Sequence, residues 1–368
     1  MSSSEYHSGQ DLDPLTRLNV IGAIERLLPE LKEALTLRVR VLKMLRVIQP
    51  VGRRALAEKV GLSERVLRGV VEELQKAGLI VVMRQGMLVT EAGEEVLDAL
   101  EPLYARYAGL SVWEDRLKER LGLRHVLIVA GHPTDDTVTL SALGHEAAQY
   151  LNEILKKYTR IAVAGGTTMA AMAAYFRPRK RYPQVTFYPA RGGLGEEAAI
   201  QASAIAARLA EAAGAQYVLF QLPDQLDKEM SEELRHDPYV AERLSEMRKA
   251  EIVFHGIGDA LTMARRRRTP EALVERLKNA QAVSEAFGAY YNEAGELVFQ
   301  VKTLGLSLDD LKQKRCVAVA GGKTKARAIL SLAKTGLFDV LITDQGAAQA
   351  ILEATDKTQP PDDSDRSQ

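Results

Sequence analysis

From residue 124 onward, short apolar runs of strand length alternate with stretches of helical periodicity. This alternation is typical of a doubly wound α/β domain, in which helices cover both faces of a mainly parallel sheet. We place strands at residues 126–130, 161–164, 185–188, 217–221, 252–255, 317–320 and 340–343. We place helices at residues 143–158, 168–176, 197–213, 239–249, 270–279 and 324–334. A hairpin is predicted over residues 289–299.

Two of these strands run into the same glycine turn. Residues 161–168 are IAVAGGTT and residues 317–324 are VAVAGGKT, and a helical stretch follows each. Free backbone N–H groups and the positive end of the helix dipole make such a turn an anion site. Neither turn matches the P-loop or the G-x-G-x-x-G pattern, so a nucleotide is not indicated. The pair predicts the two ends of a phosphorylated small molecule, although either could be an ordinary strand-to-helix turn.

Other polar residues follow predicted strands and could reach the same crevice. Arg191 precedes a glycine-rich loop, and its planar guanidinium suits a phosphate. Gln201 lies on the next helix, and Glu285 and Asp344 are carboxylates that could accept hydrogen bonds from sugar hydroxyls. The arginine run 265–268 is either a solvated face or supplies a phosphate contact. Lys323 and Lys325 stand at the second glycine turn.

The N-terminal third differs in charge from the rest of the chain. Lys+Arg and Asp+Glu are both 49 overall, yet residues 31–84 contain 12 basic and five acidic side chains. A short helix at 53–60, a turn at 61–62 and a helix at 63–77 precede a hairpin over 79–90. Helix, turn, helix and hairpin together predict a winged helix-turn-helix, a DNA-binding fold.

The second of those helices is the predicted recognition helix. Ser63, Arg65 and Arg68 lie on its outward N-terminal face, Arg53 begins the preceding helix, and Arg84 lies at the hairpin tip. Arginine suits bidentate contacts with guanine and single contacts with phosphates. These five residues are the predicted DNA contacts. The alternative is a solvated basic helix in a protein-binding module.

Composition limits the remaining function classes. No apolar stretch approaches the ~20 residues of a transmembrane helix, and the N-terminus lacks the pattern of a signal peptide, so we expect a cytoplasmic protein. A single cysteine excludes an internal disulfide, and the histidine spacing predicts no metal site. We expect a mobile N-terminus at 1–14, a DNA-binding domain at 15–97, a helical connector at 98–122, an effector domain at 123–354 and a disordered tail at 355–368.

Several short motifs together resemble the SorC/DeoR-type sugar-binding transcriptional regulators. They are GGTT at 165–168, ARGG at 190–193, GIGDA at 256–260, YYNEAGE at 290–296, AGGKTKA at 320–326 and LITDQGAA at 341–348. The effector domains of that family are similar to sugar-phosphate isomerases and deaminases. The likeness is closest to members that repress a glycolytic operon, and it implies fructose 1,6-bisphosphate as the effector and no cofactor.

The resemblance also implies which residues contact the effector. Carried onto matching positions of this sequence, they are Gly165, Gly166, Thr167, Thr168, Arg191, Gln201, Arg266, Glu285 and Lys325. Within the arginine run Arg266 is favoured, and Lys325 is favoured over Lys323. The implied partners are operator DNA and a second copy of the chain, in a dimer or a tetramer. Alternatives are a regulator that senses another sugar phosphate, and an isomerase-like or deaminase-like enzyme fused to a DNA-binding module.

Overall fold

The computed structural model describes residue 23 and residues 26–129, 136–193, 197–222, 228–267, 269–301 and 303–356. The chain divides into two compact units between Gly109 and Leu110. The connector predicted over 98–122 therefore contributes to both units. The predicted N-terminal segment 1–14 and most of the predicted tail lie outside the described residues, whereas residues 355 and 356 are helical rather than part of a disordered tail.

The first unit contains the predicted helix-turn-helix and wing. Its elements in chain order are α1 (Glu30–Ile48), α2 (Arg53–Val60), α3 (Glu64–Lys76), β1 (Ile80–Met83), β2 (Gly86–Val89) and α4 (Glu91–Tyr107). Gly61 ends α2 with φ 66°, and the Ser63 hydroxyl begins α3 by accepting a hydrogen bond from Val66 N. Strands β1 and β2 pair antiparallel from Ile80 opposite Val89 to Met83 opposite Gly86.

One apolar cluster holds this unit together. On α3 the residues spaced for one helix face, Leu67, Val70, Val71 and Leu74, are all buried. Leu67 belongs to a cluster that also takes in buried residues of α1, α2 and both wing strands. The apolar stripe therefore fixes which side of α3 faces the core and leaves the opposite side of the helix exposed.

The second unit is built on a seven-stranded sheet in which the described strands pair in parallel. Its strands are β3 (His125–Val129), β4 (Arg160–Val163), β5 (Thr186–Pro189), β6 (Gln216–Tyr217), β7 (Ile252–Gly256), β12 (Arg315–Val319) and β13 (Val340–Asp344). All seven predicted strands are present, which confirms the α/β fold. The strand predicted over 217–221 is shorter, since only Gln216 and Tyr217 pair with a neighbour.

Helices pack on both faces of this sheet, each face having its own apolar cluster. The helices of this unit are α5 (Leu110–Leu121), α6 (Asp136–Ile154), α7 (Thr167–Tyr175), α8 (Ala202–Ala213), α9 (Lys228–His236), α10 (Pro238–Arg248), α11 (Ala260–Arg266), α12 (Glu271–Asn279), α13 (Leu308–Lys312), α14 (Ala326–Ala333) and α15 (Gln345–Asp356). Of these, α11 and α12 belong to a separate apolar cluster that includes Ala282 and Tyr290 rather than to the two clusters of the parallel sheet. Helix α6 begins seven residues before the predicted start at residue 143. None of the described helices is long and apolar enough to cross a bilayer.

A second sheet of four antiparallel strands belongs to the same unit. It consists of β8 (Gly258–Asp259), β9 (Ala282–Ala286), β10 (Ala289–Asn292) and β11 (Leu297–Gln300), in the order β11-β10-β9-β8. The predicted hairpin corresponds to β10 and β11, while β8 and β9 were not predicted. Strand β9 is buried along its whole length although it contains Ser284 and Glu285.

The order of the parallel strands defines where a ligand can bind. The sheet runs β3-β13-β12-β7-β4-β5-β6. From β4 the chain moves outward through β5 to β6, and from β7 it moves in the opposite direction through β12 to β13. The switch point therefore lies between β4 and β7, and a crevice opens beyond the carboxyl ends of strands at such a point.

Candidate functional site

The first glycine turn joins β4 to α7 at this switch point. Gly166 has φ 116° and ψ 165°, a conformation that side-chain-bearing residues rarely adopt. Its N–H donates a hydrogen bond of 2.8 Å to Ile200 O. A Cβ on Gly165 would lie 2.8 Å from that same oxygen. Both glycines are therefore needed to bring the start of α7, with Thr167 and Thr168, against the segment that leads into α8.

The second glycine turn follows β12 and is organised by a carboxylate. Asp344 accepts hydrogen bonds from the backbone N–H groups of Gly322, Gly346 and Ala347, at 2.6, 3.2 and 3.3 Å. A Cβ on Gly321 would lie 2.6 Å from Asp344 Oδ1. Asp344 thus holds the turn, a role different from the sugar contact suggested by its position in the sequence.

A cavity opens at the switch point. Eight of the nine predicted effector residues line it, namely Gly165, Gly166, Thr167, Thr168, Arg191, Arg266, Glu285 and Lys325. Gln201 is not among the lining residues. It precedes α8, and its Oε1 lies 2.9 Å from the position that a Cβ of Gly193 would take. Gln201 therefore packs against the loop that follows Arg191.

Two arginines meet one buried carboxylate in the cavity wall. Glu285 Oε1 accepts a hydrogen bond of 2.7 Å from Arg267 Nη2, and Arg191 Nη1 lies 3.9 Å away. The three side chains are at most 7% exposed. Arg267 Nη1 also lies 3.2 Å from the Tyr290 hydroxyl. Sequence reasoning missed Arg267, because four consecutive arginines at 265–268 give no sign of which one turns inward.

The structure separates the members of the two basic motifs. Arg265 is exposed, Arg266 lines the cavity and Arg267 is buried, while Arg268 lies outside the described residues. At the second glycine turn Lys325 lines the cavity, whereas Lys323 is exposed and is not among the lining residues. Arg266 and Lys325 both line the cavity, as Arg267 also does, and the effector contacts of Arg266 and Lys325 stay a prediction.

A tight turn places Phe287 in the cavity wall as well. Strands β9 and β10 are joined through Phe287 and Gly288, with φ 52° and 80°. Glu285 Oε1 accepts a hydrogen bond of 2.7 Å from Gly288 N. Positive φ is uncommon for a phenylalanine, so tertiary contacts must maintain it. Glu285 therefore stabilises both the arginines and the turn.

Two titratable groups of the cavity wall have shifted pKa values. Burial lowers the pKa of Lys325, an effect that Asp259 opposes and Arg266 reinforces. Burial also lowers the pKa of His255 from 6.5 to about 4, so its imidazole is neutral near pH 7. His255 Nδ1 lies 3.0 Å from Gly256 O, and because a carbonyl can only accept, Nδ1 carries the proton.

Charge in the cavity wall is strongly unbalanced. Within the described ranges, the charged lining residues are Arg191, Arg266, Arg267, Lys325 and one carboxylate, Glu285. Buried cations are costly unless an anion compensates for them. The cavity is therefore suited to an anionic ligand. Among the described residues, no group of three or more His, Cys, Asp or Glu side chains is placed to hold a metal ion.

The predicted DNA-contacting residues all lie at the surface of the first unit. Arg53, Arg65, Arg68 and Arg84 are exposed, and so is Ser63. The Ser63 hydroxyl caps α3 through its 3.3 Å contact with Val66 N. Arg65 and Arg68 form no ion pair with the described part of the chain, whereas the neighbouring Arg54 lies 3.8 Å from Glu64.

Two family models match the chain, one for each unit. The model "CggR N-terminal DNA binding domain" matches residues 34–104. The model "Putative sugar-binding domain" matches residues 105–353, which is more than half of the chain. The boundary between the two matches lies within five residues of the division between Gly109 and Leu110.

Relatives match over nearly the whole chain. The central glycolytic genes regulator of Priestia megaterium (strain DSM 319 / IMG 1521) is 42% identical over 336 residues, covering 91% of this chain and 98% of that protein. The protein of the same name from Bacillus subtilis (strain 168) is 39% identical over 334 residues, covering 90% and 98%. The crystal structure of "the putative SorC family transcriptional regulator from Enterococcus faecalis" is 36% identical with a TM-score of 0.59, covering 65% of this chain and 99% of that one.

The buried His255 predicts a pH-dependent stability. Its pKa is about 4 in the folded chain and 6.5 when unperturbed, so only the unfolded state binds the proton between these values. Stability should be highest above pH 6.5 and fall as the pH drops toward 4, by up to about 3 kcal/mol. Chemical denaturation of wild type and His255→Gln between about pH 4.5 and about pH 7.5 measures this.

The difference in the free energy of unfolding between wild type and His255→Gln should become smaller, or change sign, toward the acidic end of this pH range. His236→Gln is the matched control, since His236 is exposed on α9. Parallel pH curves for wild type and His255→Gln would show that His255 does not remain neutral in the folded chain.

Proposed function

The chain belongs to the SorC-type sugar-binding transcriptional regulators, the family of the central glycolytic genes regulators, and on that premise we propose that it represses a glycolytic operon and senses fructose 1,6-bisphosphate. We infer a phosphorylated effector from the positive charge of the cavity. In the part of the chain that the structure describes, four basic side chains and one carboxylate line it. A neutral sugar would leave that excess uncompensated, whereas phosphate groups would compensate for it.

Two parts of the cavity wall suit the two phosphates of a bisphosphate. One is the start of α7, where the first N–H groups of the helix have no intrahelical partner and Thr167 and Thr168 add hydroxyls. The other contains Arg266 and Lys325, whose charges are close enough to influence each other. Arg191 belongs to the same wall, in contact with Glu285.

Several features favour ligand sensing over turnover. Among the described residues of the lining, the one carboxylate is Glu285, which is held by Arg267 and by the N–H of Gly288. The one histidine among them, His255, is buried with its pKa lowered to about 4. A general acid or base needs a proton that it can exchange with substrate near the working pH.

The proposed response is a population shift. Two or more copies of the chain, in a dimer or tetramer, would hold paired half-sites of an operator through α3 and the wing. The effector would bind one arrangement of the copies more tightly than the other. Only that difference in affinity can move the equilibrium away from the DNA-binding arrangement.

The effector assignment predicts a specific response to ligand. The probe is a set of duplexes selected by the wild-type protein from a random-sequence library, with binding followed by fluorescence anisotropy at fixed salt. Fructose 1,6-bisphosphate should weaken or reshape the complex at a lower concentration than fructose 6-phosphate, ribose 5-phosphate or inorganic phosphate. An equal or stronger response to a monophosphate would overturn the assignment and favour a regulator of another sugar operon.

A pair of lysine substitutions tests whether the cavity is the sensor. Lys325→Met should raise the effector concentration needed for half the response by about 30-fold, because a charge-assisted hydrogen bond contributes about 2 kcal/mol. Lys323→Met is the matched control on the same turn, outside the cavity lining. Equal effects of the two substitutions would place the effector elsewhere.

The DNA assignment predicts two different effects of arginine substitutions. Arg65→Ala should lower affinity for the selected duplexes by tenfold or more while changing affinity for unselected duplexes less, as expected of a base contact. Arg84→Ala should lower both affinities and reduce the salt dependence, as expected of a phosphate contact. Arg208→Ala, an exposed arginine of α8, is the control. Unchanged affinity in both test variants would contradict the assignment of α3 and the wing.

A further inference from the structure

Gly69 lies in the interior of α3, where a glycine is unfavourable. It is the sixth of the thirteen residues from Glu64 to Lys76. A glycine inside a helix costs about 1 kcal/mol relative to alanine, because it loses more backbone freedom on folding. A glycine at such a position is explained by close packing, by backbone geometry or by contact with a partner molecule.

Neither packing nor backbone geometry supplies that reason for Gly69. A Cβ built on it meets nothing within 4 Å in the described part of the chain, and its φ is not positive. Several other glycines of the first unit differ clearly, whereas Gly52, which also has room for a Cβ, precedes a helix instead of lying inside one. A Cβ on Gly86 would lie 2.6 Å from Val51 N, and one on Gly93 would lie 2.2 Å from Leu79 O. Gly61 and Gly78 have positive φ values of 66° and 73°.

The position of Gly69 on the helix points to a partner outside the chain. The buried face of α3 consists of Leu67, Val70, Val71 and Leu74. Helical periodicity places Gly69 on the opposite side, next to Arg65 one turn earlier. Arg65 and Gly69 are exposed. The gap left by the missing side chain is thus next to an arginine on the surface that faces away from the core.

Charge along α3 indicates which part of the helix meets DNA. Its first half contains Arg65, Arg68 and one acidic residue, Glu64, and the positive end of the helix dipole adds to the two arginines. Its second half contains Glu72, Glu73 and Lys76, and Glu73 is paired with Arg38 of α1. Phosphates would therefore be attracted more strongly by the first half than by the second. Gly69 lies at the boundary between them.

We propose that Gly69 is the point where the recognition helix approaches the base pairs of the operator most closely. The major groove is about 12 Å wide, and a helix with its side chains is about 10–12 Å across, so the fit is tight. A missing side chain on the outward face lets the helix axis lie deeper in the groove. Arg65 can then reach the edges of the bases beside it. The proposal rests on α3 being the recognition helix.

The test separates a role in folding from a role in DNA binding. Gly69→Ala should raise the melting temperature of the first unit by a few degrees, because alanine is the better helix former. The same substitution should weaken binding to the library-selected duplexes by about tenfold, and Gly69→Leu should weaken it further. Binding to unselected duplexes should change less than threefold, because phosphate contacts remain. Anisotropy and differential scanning calorimetry on the full chain give these values.

Two further variants make the outcomes distinguishable. Gln75→Ala changes an exposed, uncharged residue near the end of the same helix and should leave affinity within about twofold. If Arg65→Ala weakens selective binding but both Gly69 variants bind as wild type, the proposal is wrong and the assignment of α3 stands. If Arg65→Ala also has no effect, the assignment of α3 itself fails.

Two results at Gly69 would reveal a different reason for the glycine. A lower melting temperature for Gly69→Ala would mean that the fold itself requires it. A change in the mass of the assembly for Gly69→Leu, measured by sedimentation without DNA, would mean that a second copy of the chain packs there. Either result would overturn the proposal.

Discussion

The buried carboxylate of Glu285 is the interaction on which the site depends. It comes from β9 of the antiparallel sheet, and it binds Arg267 after α11 and lies beside Arg191 after β5 of the parallel sheet. It also accepts a hydrogen bond from Gly288 N, and this bond holds the turn in which Phe287 has a positive φ. One side chain thereby joins the two sheets, two buried cations and a strained turn. Removing it would take away the carboxylate that the two buried arginines share, which is far more costly than the loss of an exposed ion pair.

The two copies of the glycine motif contribute different groups to the site. Both turns follow a parallel strand, and in both the second glycine has a positive φ. The first turn is pressed against Ile200 O and presents the start of a nine-residue helix to the cavity. The second is held by Asp344 and contributes Lys325 to the cavity, while its glycines lie outside the lining. The motif predicts the backbone geometry of both turns. The groups that each turn presents to the cavity depend on the contacts around it, with Ile200 O at the first turn and Asp344 at the second.

Much of the fold was predictable because its elements obey simple periodicities. The stripe Leu67, Val70, Val71 and Leu74 predicted the buried face of α3, and the apolar runs predicted the parallel strands. Strand β9 was missed since its buried polar residues interrupt the pattern, Ser284 pairing with Ser331 and Glu285 with Arg267. Its turn was also unpredictable, because Phe-Gly is not one of the dipeptides that mark hairpins of this type.

At the site, local motifs predicted most of the lining, whereas long-range contacts did not follow from them. Thr167, Thr168 and Lys325 adjoin glycine turns, so their proximity to a ligand follows from strand and helix geometry. The inward turn of Arg267 and the buried position of His255 depend on partners far away in sequence, Glu285 and Phe287. A run of arginines or a lone histidine contains no information about such partners until the chain is folded.

The even charge balance of the whole chain hides two positive regions that act through different physics. Arg65, Arg68 and Arg84 are exposed, so their attraction to a polyanion is screened beyond about 8 Å at physiological salt and is driven by release of counterions. Arg191 and Arg267 are buried, so salt reaches them little and their effect depends on the anions close to them, among which is Glu285. The exposed arginines suit a long, uniformly charged partner, and the buried ones suit a small ligand of fixed shape. A neutral chain can therefore present both surfaces, because placement rather than net charge determines what each cation binds.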